Sequence, residues 1–194
     1  MSHVDVLAND AVRDLVMPIT VELYHAFSAA GAIAEKTELI EGIIVRKMTK
    51  SPLHAYVANE LYSFFVTSLP KGYILRKEDP ITLSDSEPEP DLTLVKGQRR
   101  DFIDNHPHHA ELVIEVAVSS IALDRQKIAM YAAAAIPQYW LVLPEQQSIE
   151  TYSEPVPEER RYTHTMLVTS EQSIQTICGP LNLRDLFLFD SGIY

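Results

Sequence analysis

The sequence predicts a single mixed α/β (α+β) domain, in which a mixed β-sheet core is flanked by helices. Apolar segments of strand length alternate with segments of helical periodicity, and the chain begins and ends in short strands. Its 194 residues, 46% of them hydrophobic, can fill one sizeable core and do not require a second. We expect residues 1–17 to form a flexible polar leader and residues 18–194 to form the domain.

The N-terminal part of the domain predicts two helices around a strand pair. Thr20 favours the start of the first helix, and Gly31 favours its end. Glu38 to Arg46 is apolar and β-branched around Glu41-Gly42, which predicts two strands joined by a tight turn. Ser51-Pro52 predicts the start of the second helix. The apolar positions of helical period in this helix are Val57, Leu61, Phe64, Phe65 and Leu69.

Strands dominate the middle of the chain. We expect strands at Tyr73 to Lys77, Pro80 to Leu83 and Asp91 to Val95. Leu112 to Val116 carries apolar residues on both faces, as in the middle of a covered sheet. The alanine-rich segment from Asp124 to Ala135 predicts a helix, which the following proline ends.

The C-terminal part predicts a meander. Gln138 to Leu143 has the composition of a buried strand. Further short strands are expected at Ile149 to Tyr152, Tyr162 to Val168 and Ser173 to Ile177, before the final apolar segment Leu181 to Leu188. Pro155 to Arg161 predicts a turn or mobile loop within this meander.

The composition excludes several classes of protein. No apolar run is long enough to span a membrane, and charged residues occupy the N-terminus where a signal peptide would be apolar, so we expect a cytoplasmic protein. Cys178 is the only cysteine, which excludes an internal disulfide framework and a multi-cysteine zinc or iron-sulfur site.

The net charge is unfavourable for non-specific attraction to nucleic acid. The chain has 27 acidic and 16 basic residues, a formal net charge of -11. Binding depends on the local potential, however, and a bound divalent cation would offset negative charge at the place where a phosphate approaches.

Glu115 is the most informative residue of the sequence. It is a carboxylate within an otherwise apolar strand, and such a residue must be neutral, paired or bound to a metal. Asp91 begins another apolar strand directly after Pro90. If these strands are adjacent, the two carboxylates form an oxygen-rich pocket suited to magnesium or manganese.

Lys127 is positioned to act with this pair. We expect it in the first turn of the helix that follows the Glu115 strand, on one helix face with Asp124 and Tyr131. Hydrolysis of a phosphodiester needs a metal to polarise the phosphate and a cation to stabilise the developing negative charge. Lys127 is the candidate for that cation.

A set of short motifs resembles one known family. The motifs are Glu38-Leu39-Ile40-Glu41-Gly42, His54, Pro90-Asp91, Val113-Ile114-Glu115-Val116, Ser119-Ser120, Asp124, Lys127, Tyr131 and Ile136 to Val142. In this combination and spacing the chain resembles the Uma-two-type family of restriction-endonuclease-like nucleases, from about Pro18 to Leu188.

The resemblance implies a PD-(D/E)xK-type endonuclease that hydrolyses phosphodiester bonds in DNA. Asp91 matches the first acid of this pattern and Glu115 the second. The two acids would hold Mg²⁺ or Mn²⁺, assisted by the backbone carbonyl of Val116. DNA is therefore the expected partner, and a homodimer is a further expectation because two sites can cut two strands.

The resemblance also implies a displaced lysine. Ala117 occupies the position where the pattern usually has its lysine, and Lys127 from the following helix would replace it. Glu38 matches a further acidic position, where it would be a third ligand or a base for water.

Structural roles remain open for these residues. Glu115 and Lys127 would form a buried ion pair in a protein without catalytic activity. Glu38 and Glu41 would be exposed acids of a hairpin, and His54 a helix cap or a packing residue.

Other functions also remain open. One is a non-catalytic binding or assembly module that keeps the nuclease fold, which the net charge of -11 favours. Another is a metal-dependent hydrolase of a different acidic substrate, such as a nucleotide. Lys96, Arg99 and Arg100 would contact a phosphate backbone or would be ordinary surface charge. The sequence does not indicate a target sequence or a strand preference.

Overall fold

The fold was obtained as a computed structural model, which describes residues 15–34 and 36–188. Residues 1–14 of the predicted leader lie outside the described residues. The described helices are α1 (Val21–Ala29), α2 (Pro52–Ser68), α3 (Ile121–Ala133) and α4 (Leu183–Leu186). The described strands are β1 (Thr37–Ile40), β2 (Ile43–Arg46), β3 (Tyr73–Lys77), β4 (Leu92–Lys96), β5 (Leu112–Val116), β6 (Gln138–Leu143), β7 (Ser148–Val156), β8 (Arg161–Thr169), β9 (Ser173–Thr176) and β10 (Gly179–Asn182).

A six-stranded mixed sheet forms the centre of the domain. Its strands follow the order β3-β4-β5-β6-β7-β8, and β1-β2 and β9-β10 form separate two-stranded sheets. Only β5 and β6 pair in parallel, and α3 makes the crossover between them. The remaining neighbours in the large sheet are antiparallel.

Helices cover both faces of this sheet, because the central strands are apolar on both sides. On one face, α2 packs Leu61 and Phe65 against β4, β5 and β6. On the other face, α3 packs Met130 and Tyr131 against the same central strands, and the rings of Tyr131 and Tyr139 lie 5.1 Å apart. The predicted mixed α/β domain with helices flanking a mixed sheet is confirmed.

The predicted tight turn between β1 and β2 is also present. Glu41 and Gly42 both have positive φ angles, 49° and 74°, as a two-residue hairpin turn requires. The carbonyl of Gly42 accepts a hydrogen bond from the N–H of Ile19, at 2.9 Å. A Cβ atom at Gly42 would lie only 2.4 Å from the Cβ of Pro18, so this close approach requires glycine.

The prediction of a strand at Pro80 to Leu83 is wrong. This segment belongs to a loop, in which Ile81 N–H donates to Pro88 and Leu83 N–H donates to Ser86. Ile81 and Leu83 are nevertheless buried. Their apolar character serves the core, while the neighbouring prolines lack the N–H groups that a ladder needs.

Several strand boundaries differ from the predictions by a residue, and larger differences occur at α3, at β7 and at the end of the chain. Helix α3 begins at Ile121 rather than Asp124, so Lys127 lies in its second turn. Strand β7 continues to Val156, and the predicted loop is a short 3-10 turn at Pro157–Glu159. The final apolar segment, for which no element was predicted, contains the end of β10 and the short helix α4.

None of the helices within residues 15–34 and 36–188 is both long and apolar enough to cross a membrane.

Candidate active site

Asp91 and Glu115 lie side by side at one end of the sheet. The antiparallel register pairs Leu92 with Ile114, so Asp91, just before β4, lies opposite Glu115 on β5. The backbone N–H of Asp91 donates to Glu115 Oε2 at 3.3 Å. Both carboxyl groups are buried. The two acids predicted from the sequence are therefore neighbours.

Lys127 reaches the same place from α3. Its Nζ lies 2.9 Å from Glu115 Oε1 and 3.1 Å from Glu38 Oε1, a residue of β1. Asp124, one helical turn earlier, is 3.5 Å away through Oδ1. A single buried amine is thus shared by three carboxyl groups from three different elements.

Asp91 has its own set of partners. Its Oδ2 accepts a hydrogen bond from the Val116 backbone N–H at 2.8 Å and lies 2.9 Å from His54 Nε2. Its Oδ1 accepts from Lys50 Nζ at 2.8 Å. The side chain of Ser51 caps α2 by accepting from the His54 N–H at 3.2 Å, which fixes the helix end that carries His54.

These partners keep Asp91 ionised. Burial alone would raise the pKa of this carboxyl, but the hydrogen bond and charge of His54, followed by Lys50, lower the pKa to about 2. Asp91 is therefore a carboxylate at any physiological pH.

The pKa of Glu115 is shifted in the opposite direction to that of Asp91. Burial raises the pKa of Glu115 to about 8, and the nearby acids Asp124, Asp91 and Glu38 add to this effect against the attraction of Lys127. For Lys127, burial acts to lower the pKa, but the surrounding carboxylates outweigh burial and raise it. The lysine stays charged, and because three acids share it, Glu115 retains its proton near neutral pH.

These groups line one surface pocket with an excess of negative charge. The pocket contains four buried carboxyl groups and two lysines that contact them. It also contains the ion pair Lys47–Glu89, whose two charges cancel. Four negative charges against Lys50 and Lys127 leave a formal charge of -2 when all groups are ionised. The four acids are Glu38, Asp91, Glu115 and Asp124.

The donor chemistry of the pocket fits a divalent cation. Clustered carboxylate oxygens with an excess of two negative charges suit Mg²⁺ or Mn²⁺. Within the described part of the chain, however, no three acids, histidines or cysteines surround a common point as metal ligands do. The two oxygens of Asp91 already accept from Lys50, His54 and the Val116 N–H, so these partners would compete with a cation for this carboxylate.

The structure brings together all but one of the acids considered from the sequence. Glu38, Asp91, Glu115, Val116 and Lys127 line the pocket. Glu41 does not, because its carboxylate pairs with Arg160 at the surface.

Three further residues of the pocket were not assigned to it from the sequence. His54 was interpreted as a cap or packing residue, although its place among the family motifs was a signal. Asp124 had a weaker signal, its position one turn before Lys127 on the same helix face. No sequence feature distinguished Lys50.

Comparison with known families shows to which family this chain belongs. The sequence profile described as "Uma2: Putative restriction endonuclease" matches residues 22–182. The chain belongs to the Uma2 family. The resemblance inferred from the short motifs is therefore confirmed over most of the chain.

A solved structure supports the fold of this Uma2 chain. It is described as a putative nuclease belonging to DUF820 from Anabaena variabilis ATCC 29413, and it superimposes with a TM-score of 0.70. The match covers 88% of this chain and 98% of the other, at 19% sequence identity. A comparison with curated proteins found no match.

Proposed function

We propose that this Uma2-family protein is a metal-dependent endonuclease that hydrolyses phosphodiester bonds in DNA. The convergence of Asp91, Glu115 and Lys127 at one pocket is the observation that carries the proposal. A purely structural ion pair needs one acid for one amine, whereas this pocket has a surplus of buried acids. The description of the family as restriction endonucleases gives further support.

Asp91, Glu115 and the backbone carbonyl of Val116 would hold Mg²⁺ or Mn²⁺. When bound, the ion would polarise the phosphate and lower the pKa of a water molecule. Glu115 would give up its proton as the cation approaches, because the added positive charge favours its ionised form.

Lys127 and Glu38 complete the proposed machinery. Lys127 would place a fixed positive charge beside the phosphate, where negative charge develops during hydrolysis. Glu38 accepts hydrogen bonds from Lys127 and from the backbone N–H of Glu89. These bonds would orient Glu38 either to hold the amine or to accept a proton from water.

Lys50 would be the partner that Asp91 releases. Its side chain is 31% exposed, whereas that of His54 is 11% exposed and is carried by a capped helix end. Lys50 also lies 3.1 Å from Glu78 Oε1 at the rim, which would keep it near the pocket after release. There its amine would be available to a phosphate oxygen.

The direct test is nicking of supercoiled plasmid in Mg²⁺, Mn²⁺ or chelator. We expect cleavage by the wild-type protein only with metal, and a loss of about a hundredfold or more in Asp91→Asn, because a metal is worth several kcal/mol to such a transition state. Glu145→Gln is the control, since it removes an exposed acid outside the pocket. Unchanged metal-dependent nicking by Asp91→Asn in a clean preparation would contradict the proposal.

Two other results would indicate the alternative functions. DNA retention without nicking in any metal would indicate a non-catalytic binding module. Turnover of small phosphodiesters without DNA retention would indicate a hydrolase of another acidic substrate.

A further inference from the structure

A cleft of about 380 Å³ runs along β3, the first strand of the large sheet. Residues of β3 line it, and no residue of β4 does. Three lining side chains are cations, Arg76, Lys77 and Arg99, and Asp79 is the acid among them. The cleft therefore has a formal charge of +2 in a chain whose net charge is -11.

The cations come from both faces of the sheet. Lys77 lies on the α2 face, where its Nζ donates to Asn59 Oδ1 and is 5.8 Å from the centre of the Tyr62 ring. Arg76, the preceding residue, points to the opposite face, over the ring of Phe102 at 5.8 Å. Arg99 is exposed at the start of the 3-10 turn Arg99–Phe102. Positive charge thus flanks both sides of β3, the terminal strand of the large sheet within residues 15–34 and 36–188.

The backbone of β3 adds hydrogen-bond donors to this edge. Just before β3, the Gly72 carbonyl accepts a hydrogen bond from the Gly97 N–H. Just after β3, the Glu78 N–H donates to the Asp91 carbonyl. Hydrogen-bonded and non-bonded pairs alternate along an antiparallel ladder. The N–H groups of Leu75 and Lys77 therefore point away from β4, about 6.6 Å apart.

The cleft lies beside the candidate active site along the β3–β4 pair, although the two share no lining residue. Lys77 pairs with Leu92, the residue after Asp91. The next residue, Glu78, donates its N–H to the Asp91 carbonyl at 3.2 Å and binds Lys50 through its side chain. Glu78, which lies between the cleft residues Lys77 and Asp79, is thus in contact with the residue proposed to hold the metal.

We propose that this cleft binds the sugar-phosphate backbone of DNA and guides it to the pocket. The inference rests on the proposed function. Lysine and arginine side chains and free backbone N–H groups are the donors that proteins use for phosphate oxygens. A second copy of the chain is a poorer occupant, because pairing two β3 edges would bring their flanking cations together.

The test is the salt dependence of DNA binding in chelator, measured by fluorescence anisotropy with a short labelled duplex. The variant is Lys77→Gln with Arg99→Gln. Arg161→Gln with Arg184→Gln is the control, because it removes the same charge from two exposed positions that do not line the cleft. We expect the cleft variant to reduce the slope of log affinity against log salt by about 1 to 2 and to weaken binding about tenfold or more at low salt. The control should keep the slope.

Each other outcome overturns the inference or separates it from the hydrolytic proposal. A wild-type slope in the cleft variant overturns the cleft assignment, and the hydrolytic proposal stands if the wild-type protein still nicks DNA. A reduced slope supports the cleft even if no metal supports nicking, in which case hydrolysis is the proposal that fails. Sedimentation showing a wild-type dimer that the cleft variant dissociates would identify a second copy as the occupant, and would overturn the inference.

Discussion

Glu115 is the residue whose protonation links the pocket to the stability of the whole chain. The folded protein holds the Glu115 proton up to about pH 8, because burial raises the pKa of this carboxyl. An unfolded chain releases the proton near the ordinary value of 4.5. Between these values the folded state binds more protons than the unfolded state, so the unfolding free energy falls as pH rises.

The predicted result is a pH dependence that Glu115→Gln reduces. In chelator, the wild-type protein should lose up to about 1.4 kcal/mol of unfolding free energy per pH unit between about pH 5 and pH 8 through this group. Urea unfolding at several pH values measures the slope for both proteins. Glu145→Gln, the exposed acid, should keep the wild-type slope. Equal slopes for the wild type and Glu115→Gln would show that Glu115 is ionised throughout.

The sequence pointed to Glu115 and Asp91 because these acids conflict with their surroundings. Glu115 stands out within an apolar strand, and Asp91 precedes another such strand. Lys50 and His54 could not be assigned in this way, since their contacts with Asp91 depend on how the start of α2 packs against the sheet. Residues in ordinary polar surroundings give no local signal of a distant partner.

At the scale of elements, the β1–β2 hairpin positions Glu38 through one constrained turn. Gly42 has a positive φ angle and approaches Pro18 closely, and Glu38 lies on the strand before this turn. The hairpin also bonds to the loop before β4, where Leu39 and Glu87 exchange two backbone hydrogen bonds. The turn therefore fixes a strand that carries a proposed catalytic side chain.

Gly42→Ala should destabilise the protein by about 2 kcal/mol or more, because the methyl group adds a clash with Pro18 to the backbone strain. Gly31→Ala is the matched control, since Gly31 has a φ angle of 65° but nothing lies within 4 Å of its added Cβ. That control should cost only about 1 kcal/mol. Urea unfolding distinguishes the two variants, and an equal loss in both would contradict the role of the Pro18 contact.

Local patterns predicted most elements and failed where tertiary packing decides. The Glu-Gly turn, α2 and the central strands follow from turn chemistry and periodicity. Pro80 to Leu83 was assigned to a strand because buried loop residues and strand residues share the same apolar composition. Whether such a segment finds a hydrogen-bonding neighbour depends on the complete sheet.

At the scale of the whole molecule, the fold concentrates acids that are far apart in the sequence. Glu38, Asp91, Glu115 and Asp124 meet in one pocket, whose formal charge is -2 when all of its acids and lysines are ionised. Buried like charges oppose folding, and a cation bound there would relieve this repulsion. A ligand that binds the folded chain but not the unfolded chain also stabilises the fold by mass action.

Mn²⁺ should therefore raise the melting temperature, and above the dissociation constant the stabilisation should grow with the logarithm of the Mn²⁺ concentration. At a hundred times the dissociation constant the stabilisation is about 2.7 kcal/mol, or about 5 to 10 °C for a chain of this size. Lys50→Ala should reach the same shift at lower Mn²⁺ concentration, because the lysine no longer competes for Asp91 Oδ1. Asp91→Asn should show little shift, and Glu145→Gln should behave as the wild type. Thermal unfolding followed by circular dichroism measures all four proteins. A Lys50→Ala variant that needs more Mn²⁺ than the wild type would show that Lys50 supports the cation instead of competing with it.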